Sequence, residues 1–426
     1  MAVFAFYLPA MSRGLQHKGM DGVWGNRWFW RVLLGVFGLG IAWYESQTPG
    51  DVEIFLFAAA DLFNGINPYG QLYHDWFHYY YDLLFASLIY PLTLLPLRLA
   101  KFLWIVLLEL AMLRSWTIVE AWLPSRDERA KGLRLERFML LVFSWNMWVV
   151  NLHLQQLTPL VLWVILEAVQ LGGRSWKAAL VGVGMATKVI PIAALPVWFF
   201  RKEWTKSSIA IAAFLGAMVL PVAWIGANRS SELVESRWAL LNPSNPEHTF
   251  DLAEEASHSL TAWIPTLTHA EARGKHTRPW RRHVVDLDRE TVHLLTRLAQ
   301  ALGLLSVFLF FTSRLFAPAR DAGYEWSAVL AVVPIVFPHQ AVYAFLLAFP
   351  AMAWVVRQGW FGRGPAPSKR WKALTLVALT LMSLHFYFGA HRDLFNHYKL
   401  LTMGAVLLLV SLWLVKPEGT RPTPQS

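Results

Sequence analysis

The chain has no cysteine among its 426 residues. Disulfides, thiolate metal sites and cysteine nucleophiles are therefore excluded outright. Charge is scarce as well. Asp, Glu, Lys and Arg make up 15% of the residues, where a soluble domain carries about 25%. The usual signatures of soluble catalysis are missing: no G-x-x-x-x-G-K phosphate cradle, no H-E-x-x-H, no G-x-S-x-G. No repeat of the solenoid kind is visible, nor an inverted duplication of the kind found in secondary transporters. With no nucleotide-binding motif, any energy-rich substrate must arrive already activated.

Hydrophobic residues are abundant at 56%, with 23 tryptophans. Apolar runs long enough to cross the hydrocarbon core recur along the whole length, and they are continuous rather than alternating. The composition predicts an all-α polytopic integral membrane protein with about 11–13 transmembrane helices, and it disfavours a β-barrel. The net charge of +10 would suggest nucleic acid in a soluble protein. Here the basic residues cluster in short loops, as the positive-inside rule requires, and no nucleic acid partner is expected.

The runs divide the chain into a cytoplasmic N-terminus (1–27), a transmembrane module (28–227) containing a first polar loop (45–79), a large polar loop (228–294), C-terminal transmembrane helices (295–416) and a cytoplasmic tail (417–426). Arg98 and Lys101 are expected on the far side of a second span at 82–97. Ala178–Phe200 reads as one span or as two half-helices meeting near Lys188. The stretch Arg357–Lys372 carries five basic residues and no acid, which makes it the strongest cytoplasmic anchor. Counting back from it places the first loop, the 228–294 loop and His339 together on the outside.

The first polar loop holds the most suggestive chemistry. Pro49-Gly50 ends the first span and exposes Asp51, with Glu53 two residues on. Asp51 reads locally either as a helix cap, for which Asp is a preferred residue, or as a general base kept ionised by the helix N-terminus. Asn67-Pro68-Tyr69 forms a turn, and Tyr79-Tyr80-Tyr81 marks a return to the interface. Lys188 sits deep in an apolar run ahead of Pro191, where a lysine is costly unless it snorkels or meets an anion. Gln155-Gln156 and His339-Gln340 are polar breaks between apolar segments. Arg281 and Arg282 follow Trp280, a grouping able to meet a lipid phosphate or anionic headgroups.

In order along the chain, these features resemble glycosyltransferase family 87 of the GT-C superfamily, which includes polyprenyl-phosphate-mannose-dependent mannosyltransferases. The resemblance rests first on Asp51, Phe55, Ala58-Ala59, Gly65 and Asn67-Pro68-Tyr69, then on Tyr79–Tyr81, Pro91 and Pro96. It continues through Gln155-Gln156-Leu157-Thr158, through Gly182, Gly184, Lys188 and Pro191, through Arg201-Lys202 with Trp204, and more loosely through Pro338-His339-Gln340. Two positions depart from the pattern: Asp82 stands where the family has Ser or Pro, and the Gly-Gln-Val-Asn break keeps only its Gln.

The resemblance implies a GT-C fold with its active site on extracytoplasmic loops, in a bacterial plasma (inner) membrane. It also implies an inverting transfer of a mannose-like hexose from a polyprenyl-phosphate sugar to a lipid or glycan acceptor. Asp51 would be the catalytic base. Lys188, Arg281 and Arg282 would meet the lipid phosphate. Gln156, Tyr69, Tyr81, Glu53, His339 and Gln340 would contact substrate. No metal and no other cofactor is implied. A flippase of lipid-linked sugars and a non-catalytic polyprenyl-lipid-binding envelope protein are the alternatives.

Overall fold

The computed structural model describes residues 27–75, 77–123, 133–170, 173–242, 250, 256–270, 281–312, 322–362, 367–387, 389 and 392–414. Among these residues there is no β-strand, only isolated bridges pairing Tyr73 with Phe77 and Ser257 with Ala341. The protein is an all-α polytopic membrane protein, as its composition requires.

The helices that matter for the site are α1 (Arg27–Glu45), α2 (Asp51–Phe63), α3 (Leu83–Thr93), α4 (Leu97–Trp122), α5 (Leu133–His153), α6 (Thr158–Val169), α7 (Ala178–Thr187) and α8 (Ala194–Phe200). They are followed by α9 (Trp204–Val219), α10 (Ala227–Leu241), α11 (Leu260–Thr268), α12 (Arg289–Thr312), α13 (Ala322–Val336), α14 (Phe349–Val356), α15 (Lys369–Tyr387) and α16 (Leu400–Leu414).

By length and composition, four described helices can cross a membrane, or five if α5 and α6, bent by 117° at their junction, form one span. The sequence suggests more, because prolines and 3-10 turns divide the apolar runs. Pro191 opens a 3-10 turn over Ile190–Ala193, and another turn covers Val342–Ala348 before Pro350 enters α14. Proline cannot donate the backbone hydrogen bond that a continuous helix needs.

Contacts sort the helix ends into two polar levels. At one level, α4 and α5 are joined by Arg137 and Glu120 (2.5 Å), Arg357 is paired with Glu136, and Arg201 reaches Glu325 at 2.5 Å. Glu136, Arg357 and Glu325 are buried, so removing one partner would strand the other charge out of water. The other level carries Asp51, Lys101, Gln155, Gln156, Lys188, Gln340 and Tyr343, linked by the contacts described below. Ala178–Phe200 accordingly doubles back at Lys188, with Lys177 at the first level and Lys188 at the second. Arg357, where the basic stretch begins, lies at the first level and Tyr343 at the second.

The expected second span is corrected. Helix α3 has 11 residues, about 16 Å at 1.5 Å per residue, too short for a hydrocarbon core of about 30 Å. Lys101 does not mark the far side: its ammonium is bonded to the Glu53 carboxylate and donates to the Thr48 carbonyl at 2.5 Å. Pro91 and Pro96 stop the helix early, and the chain turns at the level of the first loop before α4 crosses.

Small residues set the closest helix approach. A Cβ on Gly182 would stand 2.2 Å from the Ala210 carbonyl oxygen and 2.7 Å from the Ala213 Cβ. Close packing of α7 on α9 therefore depends on that missing methyl. Gly182→Ala is expected to destabilise the protein by about 1–3 kcal/mol through overpacking. Thermal unfolding in detergent would read this, and an unchanged transition would show that α9 moves aside freely.

Candidate functional site

The site begins with a glycine. Gly50 is extended and occupies the cap position of α2, and no side chain caps this helix. Asp51 is the first helical residue, so the cap reading of its carboxylate is excluded. Gly50 lies against Gln155: an added Cβ would fall 2.5 Å from the Gln155 side chain. Gln155 in turn donates to the Glu45 carbonyl (2.9 Å), and the Asp51 amide donates to the Leu154 carbonyl (3.0 Å). The turn between α5 and α6 thus clamps the start of α2.

Clamping aims Asp51 at the next glutamine. The Gln156 amide donates to the Asp51 carboxylate, and Gln156 is buried with its own amide oxygen unpartnered. Burial raises the Asp51 carboxyl to about 6, while the charge of Lys188, the Gln156 hydrogen bond and His74 each pull it down. The result is a half-buried carboxylate close to a cation, ionised at neutral pH and easily protonated just below it.

Lys188 caps α7 in an extended conformation. Its ammonium lies 5.3 Å from the centre of the Tyr343 ring, within cation–π range. Tyr343 is tied to the first half of the molecule because the Asn151 amide donates to its carbonyl at 2.9 Å. Tyr81 lies within electrostatic reach of both Asp51 and Tyr343, and its ring packs edge-on against Phe55 at 4.8 Å. One cluster therefore draws Asp51, Tyr81, Gln156, Lys188 and Tyr343 from five separate stretches of chain.

The remaining expected residues take other positions. Tyr69 is buried and donates its hydroxyl to the Tyr81 carbonyl at 2.8 Å; it supports Tyr81 from behind. Glu53 is bonded to Lys101 and lies 3.2 Å from His74 Nε2. Asp51 and Glu53 thus point to different partners, and no group of three or more metal-ligating side chains occurs among the described residues. His339 adopts a left-handed backbone (φ +54°) after α13. Gln340 accepts the His258 amide at 2.7 Å and donates its own side chain to the Pro338 carbonyl. Arg281 is exposed and donates to the His283 carbonyl at 3.3 Å. Arg282, half-buried, shares that segment, whose backbone runs back along the end of α11 through Val284 and Leu287. Trp280 lies outside the described residues.

Sequence reasoning missed Arg237. It projects from α10 to donate to the Ala186 carbonyl at 3.0 Å, two residues from Lys188. Its charge reaches Tyr69, Tyr79 and Asp82. Arg229, two turns earlier on the same helical face, donates to the Leu62 carbonyl at 2.8 Å. The Arg229–Arg237 spacing is the signal that would have found this face. Asp82, one of the two departures from the family pattern, accepts the Phe85 amide at 2.9 Å and so caps α3.

The sequence model of glycosyltransferase family 87 matches residues 79–338, more than half of the chain. The chain belongs to glycosyltransferase family 87. The match takes in Tyr81, Gln156, Lys188, Arg237, Arg281 and Arg282; the Asp51 helix lies ahead of it, and His339, Gln340 and Tyr343 lie just past its end. No curated protein and no solved structure matches the chain. The cluster sets a carboxylate, a cation and two tyrosine rings beside a polar break.

Proposed function

We propose that this glycosyltransferase moves a mannose-like hexose from a polyprenyl-phosphate donor to a lipid or glycan acceptor on the extracytoplasmic face of a bacterial plasma membrane, with inversion. The observation that carries the reading is the Asp51 carboxylate. It is released from capping, half-buried, and directed at Gln156 beside Lys188. Asp51 takes the proton from the attacking hydroxyl as the new oxygen–carbon bond forms at the anomeric centre. The bond from that carbon to the phosphate oxygen breaks, and polyprenyl phosphate leaves with the electron pair. Lys188, with Arg237 behind it, meets the negative charge that develops there. Gln156 holds the carboxylate in place, Tyr81 and Tyr343 form the walls, and Glu53 holds Lys101 under the loop.

A carrier would need charges along a path through the membrane. The buried charges at the first level are instead closed in pairs, Glu136 with Arg357 and Arg201 with Glu325, which supports the transferase reading.

The test is transfer of labelled sugar from a polyprenyl-phosphate donor as a function of pH. The Asp51 carboxyl is raised to about 6, and only its ionised form accepts a proton. The kcat/KM profile is therefore expected to be flat near neutrality and to fall as pH drops through about 6. A profile that stays flat to well below that value would remove Asp51 from the proton transfer.

A further inference from the structure

A cavity opens near the start of the Asp51 helix. It has a volume of about 600 Å³ and lies between α1, α4 and α5, in the size range of pockets that take one extended ligand. Helix α1 contributes Gly40, α4 contributes Glu109, and α5 contributes Trp145 and Trp148, with Tyr44 and Glu45 at one end. That end is the catalytic level: the Glu45 carboxylate lies 3.0 Å from His153 Nδ1, and its carbonyl accepts the Gln155 amide that also packs on Gly50. The cavity thus ends at Glu45, one hydrogen bond from the clamp that aims Asp51.

Its chemistry is one-sided. Among the lining residues there are two carboxylates, Glu45 and Glu109, and no lysine or arginine. One Glu109 oxygen is buried without a hydrogen-bond partner. A phosphate is repelled here, while the cations that suit one, Lys188 and Arg237, are grouped at the break after α7.

We infer that this cavity binds the hydrocarbon chain of a phosphate-free acceptor lipid, so that its hydroxyl-bearing head emerges at Asp51 while the phosphate-bearing donor approaches from the Lys188 side. The inference rests on the glycosyltransferase reading for the acceptor's role, but the binding itself does not require turnover.

Gly40 provides a clean probe. A Cβ there meets no atom within 4 Å, so Gly40→Leu starts into open space at the cavity wall. In nanodiscs containing the full chain, a long-chain alkyl glycoside bearing a diazirine on its chain is expected to crosslink to the α5 segment carrying Trp145 and Trp148. Gly40→Leu is expected to reduce this crosslinking, and Asp51→Asn to leave it intact. A diazirine-bearing polyprenyl phosphate is expected not to label that segment. In transfer assays, Gly40→Leu is expected to raise the KM of a long-chain glycoside acceptor by about tenfold, the equivalent of one or two methylenes' burial. A short-chain, water-soluble glycoside acceptor is expected to keep its KM.

Crosslinking that Gly40→Leu does not reduce would overturn the proposal. So would labelling of this segment by the polyprenyl phosphate, which would assign the cavity to the donor. Equal loss with short and long acceptors would also overturn it. Crosslinking of the glycoside with no transfer by the wild-type protein would leave the lipid site standing and sink the glycosyltransferase reading instead.

Discussion

Asp51→Asn is expected to lower sugar transfer by about 10²–10⁴-fold, the usual contribution of a positioned general base, while leaving donor binding intact. Asparagine keeps the size of the side chain but cannot accept the acceptor's proton at neutral pH. Its amide oxygen still accepts from Gln156, so the turn between α5 and α6 keeps its hold on α2 through the Asp51 amide and Leu154. The measurement is single-turnover transfer of labelled sugar beside equilibrium binding of polyprenyl phosphate. Unchanged transfer would sink the assignment of Asp51 as base. Loss of transfer together with loss of donor binding would mean that the residue holds the site together rather than reacting.

Lys188→Met carries the second large effect, and it acts on a different step. A hydrogen bond to a charged partner contributes about 1.5–3 kcal/mol, so the donor's KM is expected to rise by roughly 10- to 150-fold. Methionine preserves the stem that packs at the end of α7. A second consequence follows from the Asp51 carboxyl, which Lys188 pulls downward against the rise caused by burial. Without that cation the carboxyl titrates higher, so the acid limb of kcat/KM is expected to move to higher pH. A raised KM with an unmoved limb would place Lys188 away from Asp51 in the working enzyme. A moved limb with an unchanged KM would take it off the donor phosphate.

These two residues show how far local pattern reaches. Asp51 after Pro49-Gly50 and Lys188 ahead of Pro191 were both conspicuous in the chain: one is a charge where a span ends, the other a charge where a span should continue. Their meeting was not legible. Asp51 and Gln156 are 105 positions apart, and which residues meet across such a gap is decided by how helices pack, not by the order of side chains along one of them. Glu53 illustrates the limit. Two positions from Asp51, it looked like a partner for the same chemistry, yet two residues along a helix is a turn of about 200°, and that turn points it at Lys101 instead. Tyr69 likewise belonged to a recognisable Asn-Pro-Tyr turn, but only the fold shows its hydroxyl spent on the Tyr81 carbonyl.

The sequence by itself determined the class of molecule. Scarce charge, continuous apolar runs and a basic anchor leave no other solution for a chain whose backbone groups must be satisfied inside a membrane. It also determined the family resemblance and the two charges at the centre of the site. The tertiary structure alone decided that α3 turns back instead of crossing, because helix length is set by where prolines interrupt hydrogen bonding and by what then packs beneath. It alone brought Tyr343 and Arg237 to Lys188, and it alone released Asp51 from the helix cap. In each case the deciding contact joins segments remote in the chain, and no local preference specifies such a contact.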